Sequence, residues 1–341
     1  GRMRFEYLRE LHDFLGWRTG DGILLAEANI LPEENLDYFG PKGDRMHMIL
    51  NFQVNQHLFH ALATGNARTL ADAIAATRKK PRASQWGMFL RSHDELDLGR
   101  LDEEQRQAVF AAFGPEPTMQ LYGRGIRRRL APMLGGDPRR IELAFSLMFG
   151  LPGTPVMRYG DEIGMGDDLS LDDRTAVRTP MQWTSARHGG FSNAARTEVP
   201  ALSHGPFSYE RVNVADQRRD ASSLLNATER FIRMRKECPE LGWGEPQVLP
   251  SGDPGVLVVH CSWRGRAIVT VHNVSAQARV VELALPEGPD AQLTNLLARE
   301  PASPSVRGKH RVPLEPHGFR WYRVGPLLDA ALAETLPPVA R

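Results

Sequence analysis

The chain has 341 residues, 41% hydrophobic and 24% charged, the balance of a folded globular protein and not of a disordered or fibrous one. Its 42 basic and 41 acidic residues leave a net charge of +1, which gives no electrostatic reason to expect nucleic acid or an anionic membrane as partner. Two cysteines, Cys238 and Cys261, form neither a metal-binding spacing nor a disulfide framework, and a reducing, cytoplasmic location is expected. No uninterrupted apolar stretch approaches the ~20 residues of a membrane helix, and no signal-peptide pattern is read at the start.

The opening residues, GRMRFEYLRELHDFL, place Phe5, Leu8, Leu11, Phe14 and Leu15 at helical spacing and predict a helix over about 3–16. It lacks a cap, so the chain is expected to be cut from a longer one. Four short apolar strands follow: Gly22–Asn29 (GILLAEAN), the stretch from Met46 to Phe52 containing HMILNF, Trp86–Leu90 (WGMFL) and Pro155–Gly160 (PVMRYG). Helices are predicted near Leu70–Arg78, Asp102–Phe113, Pro138–Phe149 and Ser222–Lys236. The third begins at Asp137-Pro138, an N-cap followed by proline at the first helical position. Continuously apolar strands separated by helices imply an α/β fold with a parallel sheet buried on both faces. A doubly wound sheet or a (β/α) barrel satisfies that pattern. Polar residues directly follow the strand ends: Glu27 and Asn29, His93 to Glu95, then Asp161 and Glu162. Functional side chains at several strand C-termini favour the barrel.

After Pro239 the pattern changes. GVLVVHCSWRGRAIVTVHNVS holds two β-rich runs joined by Trp263-Arg264-Gly265-Arg266, a hairpin signal, and VVELALPEG and GFRWYRV read as further strands. A small antiparallel β-domain is expected over about 243–326, with a tail over 327–341.

Glu27 ends an apolar strand, and partial desolvation there would raise its pKa toward that of a general acid. A salt bridge or cap at a strand end explains the same residue. Asp94 could stabilise positive charge on a substrate and His93 could bond a hydroxyl, but a His-Asp pair at a loop start also forms purely local turn bonds. His93, Asp94, Glu95, Asp161 and Glu162 are potential metal donors, yet no recognised ligand spacing is present. The acidic loop GDDLSLDDR (166–174) lacks the closing Glu of a calcium loop. The cationic run GRGIRRRL (123–130) reads best as a solvated helix start or a salt-bridged structural segment. Phosphate-binding glycine loops and a G-x-S-x-G elbow are absent.

GILLAEAN, FLRSHDEL, LPGTPVMRYGDEIGMGDD and VRTPMQW occur in an order that resembles the α-amylase-type (β/α)8 enzymes of the retaining α-glucosidase superfamily. Within it the AEAN strand end, GIRRRLAPML, YGDEIGMGDD and VNVADQRRDASSLLNATERFIRMRK are similar to the trehalose synthase branch, which interconverts maltose and trehalose. The resemblance covers nearly the whole chain. It implies the second half of a TIM barrel, strands five to eight, over 1–240, followed by the β-domain as a C-terminal sandwich.

By the same resemblance Glu27 matches the general acid/base and Asp94 the transition-state-stabilising aspartate. His93 matches the imidazole that binds the glucosyl ring, and Arg178 an arginine that reaches the bound sugar. The family's nucleophile, an aspartate on the strand before Glu27, has no match: Glu6, Glu10, Asp13 and Asp21 are the acidic residues upstream of Glu27, and none stands in its context. Ser92 replaces the asparagine of the family's Asn-His-Asp, and HMILNFQVNQ also departs from the usual residues. No cofactor is expected, and ligands for a structural calcium or magnesium ion would lie in the absent half. The expected substrate is a disaccharide or short α-glucan. The missing half barrel would come from the same polypeptide or from a partner subunit, and the isolated chain is expected to be inactive. Hydrolysis of short α-glucosides is the alternative activity. A non-catalytic, glucan-binding or partner-dependent half barrel is a third outcome.

Overall fold

The computed structural model describes residues 5–298 and 305–325, so the tail expected over 327–341 lies outside the described residues. Four short parallel strands, β1 (Leu25–Ala26), β2 (Met48–Leu50), β3 (Gln85–Met88) and β4 (Thr154–Pro155), form one sheet in the order β1-β2-β3-β4. Ala26 is in register with Ile49, Ile49 with Trp86, and Met88 with Pro155. Each strand lies beside its predecessor, without the reversal of order that defines a doubly wound sheet. Local sequence pattern left that choice open, and the positions of the polar residues at strand ends favoured the barrel. The strands are shorter than expected. Among the described residues β1 has a partner on one side only, and its ladder within Gly22–Asn29 spans two residues.

Helix α1 (Glu6–Thr19) starts the described chain. Between β2 and β3 run α2 (Phe52–Thr64) and α3 (Arg68–Ala76), and between β3 and β4 run α4 (Glu103–Phe113) and α5 (Pro138–Gly150). α6 (Leu224–Lys236) follows the long loop after β4. α4 opens with a capping box between Asp102 and Gln105, and α5 opens at the expected Asp137-Pro138 cap. α2 is a helix that periodicity reading missed. Buried Asn55 and Gln56 interrupt its apolar stripe of Val54, Leu58, Ala61 and Leu62. Its signal was the cap: Asn51 Oδ1 accepts from the Val54 N–H at 2.9 Å. Asn55 is buried because it bonds the carbonyls of Phe89 and Leu90 at 2.7 and 2.9 Å, which fixes the chain as it leaves β3 toward His93.

The C-terminal region is antiparallel. β5 (Glu245–Val248), β6 (Val256–Trp263), β7 (Arg266–Asn273), β9 (Leu293–Asn295) and β11 (Phe319–Val324) form a sheet ordered β9-β11-β7-β6-β5. β8 (Arg279–Leu283) pairs with β10 (His310–Leu314) in a second layer. The β6–β7 turn follows the expected hairpin, with Arg264 at φ 50° and Gly265 at φ 75°. One face of the large sheet packs Val258, Val269 and Val271 against Val281, Leu283, Val312 and Leu314. The other face contributes Leu257, Val259, Ile268 and Trp321 to the core that also holds α5 and α6. β6 is therefore covered on both sides, which explains its unbroken apolar run.

A polar joint crosses this second interface. The Trp321 indole N–H donates to Ser146 Oγ at 2.9 Å, and His272 Nε2 lies 3.0 Å from the same oxygen. Cys238 and Cys261 are free and buried, and burial pushes both thiols up to about 12. Among the described residues no helix is long and apolar enough to cross a membrane.

Candidate active site

Glu27 lies just past β1, His93 and Asp94 past β3, and Arg178 in the loop after β4. The parallel order brings these strand ends to one rim, and all four predicted site residues meet there. His93 stands between the two carboxylates: its Nδ1 is 3.7 Å from Glu27 Oε1 and its Nε2 3.6 Å from Asp94 Oδ1. Arg178 Nε donates to the His93 carbonyl at 2.8 Å, and its Nη2 donates to Asp94 Oδ1. The predicted desolvation of Glu27 is not found, because its side chain is 44% exposed. The cause is the open side of β1, where Ile23 and Leu25 are also exposed.

Asp94 is held more firmly than sequence suggested, by a residue that sequence reading missed. Arg174 Nη1 lies 3.1 Å from Asp94 Oδ2, while its Nε and Nη2 bond both oxygens of Glu95 at 2.7 and 3.1 Å. The Glu95 side chain is only 5% exposed, and this bidentate pairing is what makes a carboxylate tolerable there. The same pairing raises the Arg174 pKa. The Tyr122 hydroxyl bonds Asp173 at 2.8 Å, with the Arg174 guanidinium over its ring. Spacing held a clue, since Arg174 and Arg178 stand four apart in one loop, but nothing local says which carboxylate each meets.

Beneath the rim, buried Arg91 donates to the Asp94 carbonyl at 2.8 Å and to the Arg128 carbonyl at 2.8 Å. Burial, reinforced by nearby Arg158, pushes Arg91 down to about 10, still charged at neutral pH. Ser92 Oγ accepts from the Asp94 N–H at 3.2 Å. Its carbonyl takes a bond from Arg158. Asn29 reaches across to Asp97 at 2.9 Å and so ties the β1 end to the β3 end.

One donor atom each from Glu27, His93 and Asp94 falls within a mutual 4.8 Å, a spacing that could hold a cation. The charges argue against one. Both Asp94 oxygens already face guanidinium groups, and a cation there would meet two positive charges. The other metal candidates lie elsewhere: Asp161 pairs with buried Arg129 at 3.0 Å, and Glu162 sits in a neighbouring cavity. The acidic loop and the cationic run neutralise each other, with Arg128 3.1 Å from Asp167 and Arg127 donating to the carbonyls of Leu169 and Leu171. That is the salt-bridged structural reading of GRGIRRRL.

The "Alpha amylase, catalytic domain" family matches residues 127–244, and the "Sucrose hydrolase-like, C-terminal domain" matches residues 265–323. Trehalose synthase of Thermus thermophilus is 40% identical over 326 residues, 94% of this chain and 34% of that protein. Trehalose synthase of Pimelobacter sp. is 35% identical over 333 residues, 94% of this chain and 58% of that protein. The chain thus spans from a third to under three-fifths of the length of these curated relatives. The solved α-amylase of H. orenii superposes with a TM-score of 0.69 at 16% identity, over 94% of this chain and 56% of that one, a likeness of fold. The fold likeness covers 94% of the chain, and over residues 127–244 the chain belongs to the catalytic domain of the α-amylase family.

Proposed function

We propose that this chain is the second half, strands five to eight, of a (β/α)8 barrel with its C-terminal β-sandwich, taken from a retaining enzyme that interconverts maltose and trehalose. The division is 1–240 for the half barrel and 243–326 for the sandwich. The supporting observation is the convergence of Glu27, His93, Asp94 and Arg178 on one rim in a chain 35–40% identical to trehalose synthases.

Each residue then has a role its surroundings suit. Glu27, exposed and free to reach a glycosidic oxygen, protonates the leaving group and later takes a proton from the attacking hydroxyl. Asp94, matched by the resemblance to the transition-state-stabilising aspartate, has an oxygen fixed on each of two arginines, which suits a positioned carboxylate better than one that attacks carbon. His93 and Arg178 hold the glucosyl ring. The nucleophile comes from the half barrel absent here, supplied by the same polypeptide or a partner subunit in a cytoplasmic setting. Closure of that half over the rim would exclude water, as intramolecular transfer to the freed sugar requires.

The test is to express the reading frame with its upstream sequence, supply maltose and follow trehalose. Glu27→Gln is expected to lower kcat by at least ~100-fold, and a loss under about tenfold removes Glu27 from the acid/base role. Glucose without trehalose would favour the hydrolytic alternative. The 341-residue chain by itself is expected to show no turnover.

A further inference from the structure

Helix α1 buries no residue, yet it stays docked, and its contacts converge on the stretch that leads into β2. Arg9 pairs with Asp44 at 3.0 Å, Phe5 just before the helix meets the Tyr38 ring edge-on at 5.2 Å, and Leu8 packs partly against the core. His12 Nδ1 donates to the Arg45 carbonyl at 2.9 Å. The His12 ring also stacks on that of His47, with centroids 4.3 Å apart and planes 12° from parallel. His47 holds β1 as well. Its Nδ1 accepts the Leu24 N–H at 3.0 Å, while the Leu24 carbonyl takes the His47 and Met48 N–H groups at 3.1 and 3.0 Å. One side chain thus touches both elements of the open edge, α1 by stacking and β1 by a hydrogen bond.

The bond from Leu24 fixes the state of the ring. An N–H donates, so His47 Nδ1 carries a lone pair and the ring proton sits on Nε2. A second proton would set two donors face to face and forfeit the bond. His12 differs. A carbonyl accepts, so His12 Nδ1 carries a proton already, and another on Nε2 leaves that bond intact. A charged His12 then lies stacked on His47 and opposes a charge there. Burial and His12 both lower the His47 pKa. The neighbouring charges are engaged elsewhere: Arg9 on Asp44, and Arg45 on the Asp37 carbonyl and the Phe5 ring. Glu10 and Asp13 of α1 stand exposed, and β3 contributes the Gln85 N–H, which donates to the His47 carbonyl at 2.9 Å.

We propose that His47 is an acid-sensitive latch on the α1–β1 edge: the neutral imidazole holds both elements against β2, and its protonation lets them part. Glu27 follows Leu24 closely in the same segment, so acid loosens the strand end that carries it together with the helix beside it. The folded value lies below the ordinary one of about 6.5. The latch is therefore complete above about pH 6.5 and is lost as pH falls from there through the lowered value. The inference goes beyond the glucosyl reading of the rim and does not depend on it.

Hydrogen exchange of the 341-residue chain at pH 7.5 and pH 5.0, corrected for the intrinsic pH dependence of exchange, tests it. Protection of the Leu24 amide and of α1 is expected to fall more than about threefold. The ceiling is the roughly thirtyfold that a group titrating near 6.5 in the open state allows at pH 5.0. α5 should change by less than about twofold, since it reports global opening. His47→Asn places an acceptor that does not titrate where Nδ1 stood, and should abolish the fall. His12→Phe keeps the stack without the second charge, and should raise the His47 midpoint seen by ring-proton NMR. In the parent chain the Leu24 amide shift should follow that midpoint, a readout that needs neither variant to fold. Leu24 protection that falls no more than that of α5, or a fall that persists in His47→Asn, would overturn the latch. A His47 midpoint at or above about 6.5, or a Leu24 amide shift indifferent to it, would overturn it equally.

Discussion

Helices α1 and α5 carry similar apolar periodicity and end in opposite surroundings. Nine of the 13 residues of α5 are buried, between the parallel sheet and the β-sandwich. α1 buries none: Tyr7, Leu11, Phe14 and Trp17 all stand exposed, Trp17 at 85%. The neighbouring edge of β1 adds exposed Ile23 and Leu25. A run of apolar side chains at one end of the chain exceeds what isolated surface residues explain. Amphipathic spacing states that a face requires cover; it does not state that the cover belongs to the same chain. On the proposed reading the α1–β1 edge is where the upstream half barrel closes, and α5 is already closed by the C-terminal sheet.

The comparison can be broken from either side. The largest effect is expected at the covered end. Trp321 is fully buried, packs against Phe231 and bonds Ser146. Trp321→Ala should lower unfolding stability by ~3–5 kcal/mol, read from urea midpoints at constant m. A loss below about 1 kcal/mol would mean the sheet does not brace α5.

Acid should loosen the same joint. Burial pushes His272 down to about 4, while an unfolded histidine titrates near 6.5. The neutral ring therefore contributes stability that is complete above pH 6.5 and is lost as pH falls through about 4. The loss amounts to at most about 3 kcal/mol. His47, His57, His60 and His317 are also shifted down, chiefly by burial, and add in the same direction. Urea unfolding from pH 8 to pH 4 measures the sum. A His272→Gln variant should flatten part of the slope, and an unchanged slope would remove His272 from the account.

The smallest effect is expected at the open end. Trp17→Glu in this chain should change stability by less than about 0.5 kcal/mol, since the side chain is almost wholly in solvent. In a polypeptide carrying the upstream half, the same change should cost ~2 kcal/mol or more, because a charge would then face a closed apolar seam. Equal small values in both proteins would show that the α1 face stays open, and the half-barrel reading would lose its main structural prediction.

Much of the rim could be read from one-dimensional pattern. Glu27, His93, Asp94 and Arg178 each belong to a motif whose strand or loop context is local, and the structure brings all four together. Arg174 and Glu95 could not be read that way. Their pairing joins positions 79 apart in the chain, and an arginine near two carboxylates has no local rule for choosing between them. The α2 helix escaped for a related reason. Asn55 and Gln56 look like solvent residues, but they are buried by bonds to chain segments far downstream.

By itself the sequence determined the element types apart from α2, the parallel and antiparallel regions, the cap of α5 and the β6–β7 turn. These depend on side-chain period and on backbone preferences a few residues long. Only the tertiary structure decided the sequential strand order, the arginine pair on Asp94, the exposure of Glu27 and the contrast between α1 and α5. Those features depend on which distant segment arrives to cover a face or satisfy a charge, and burial is a property of that arrangement, not of the residue.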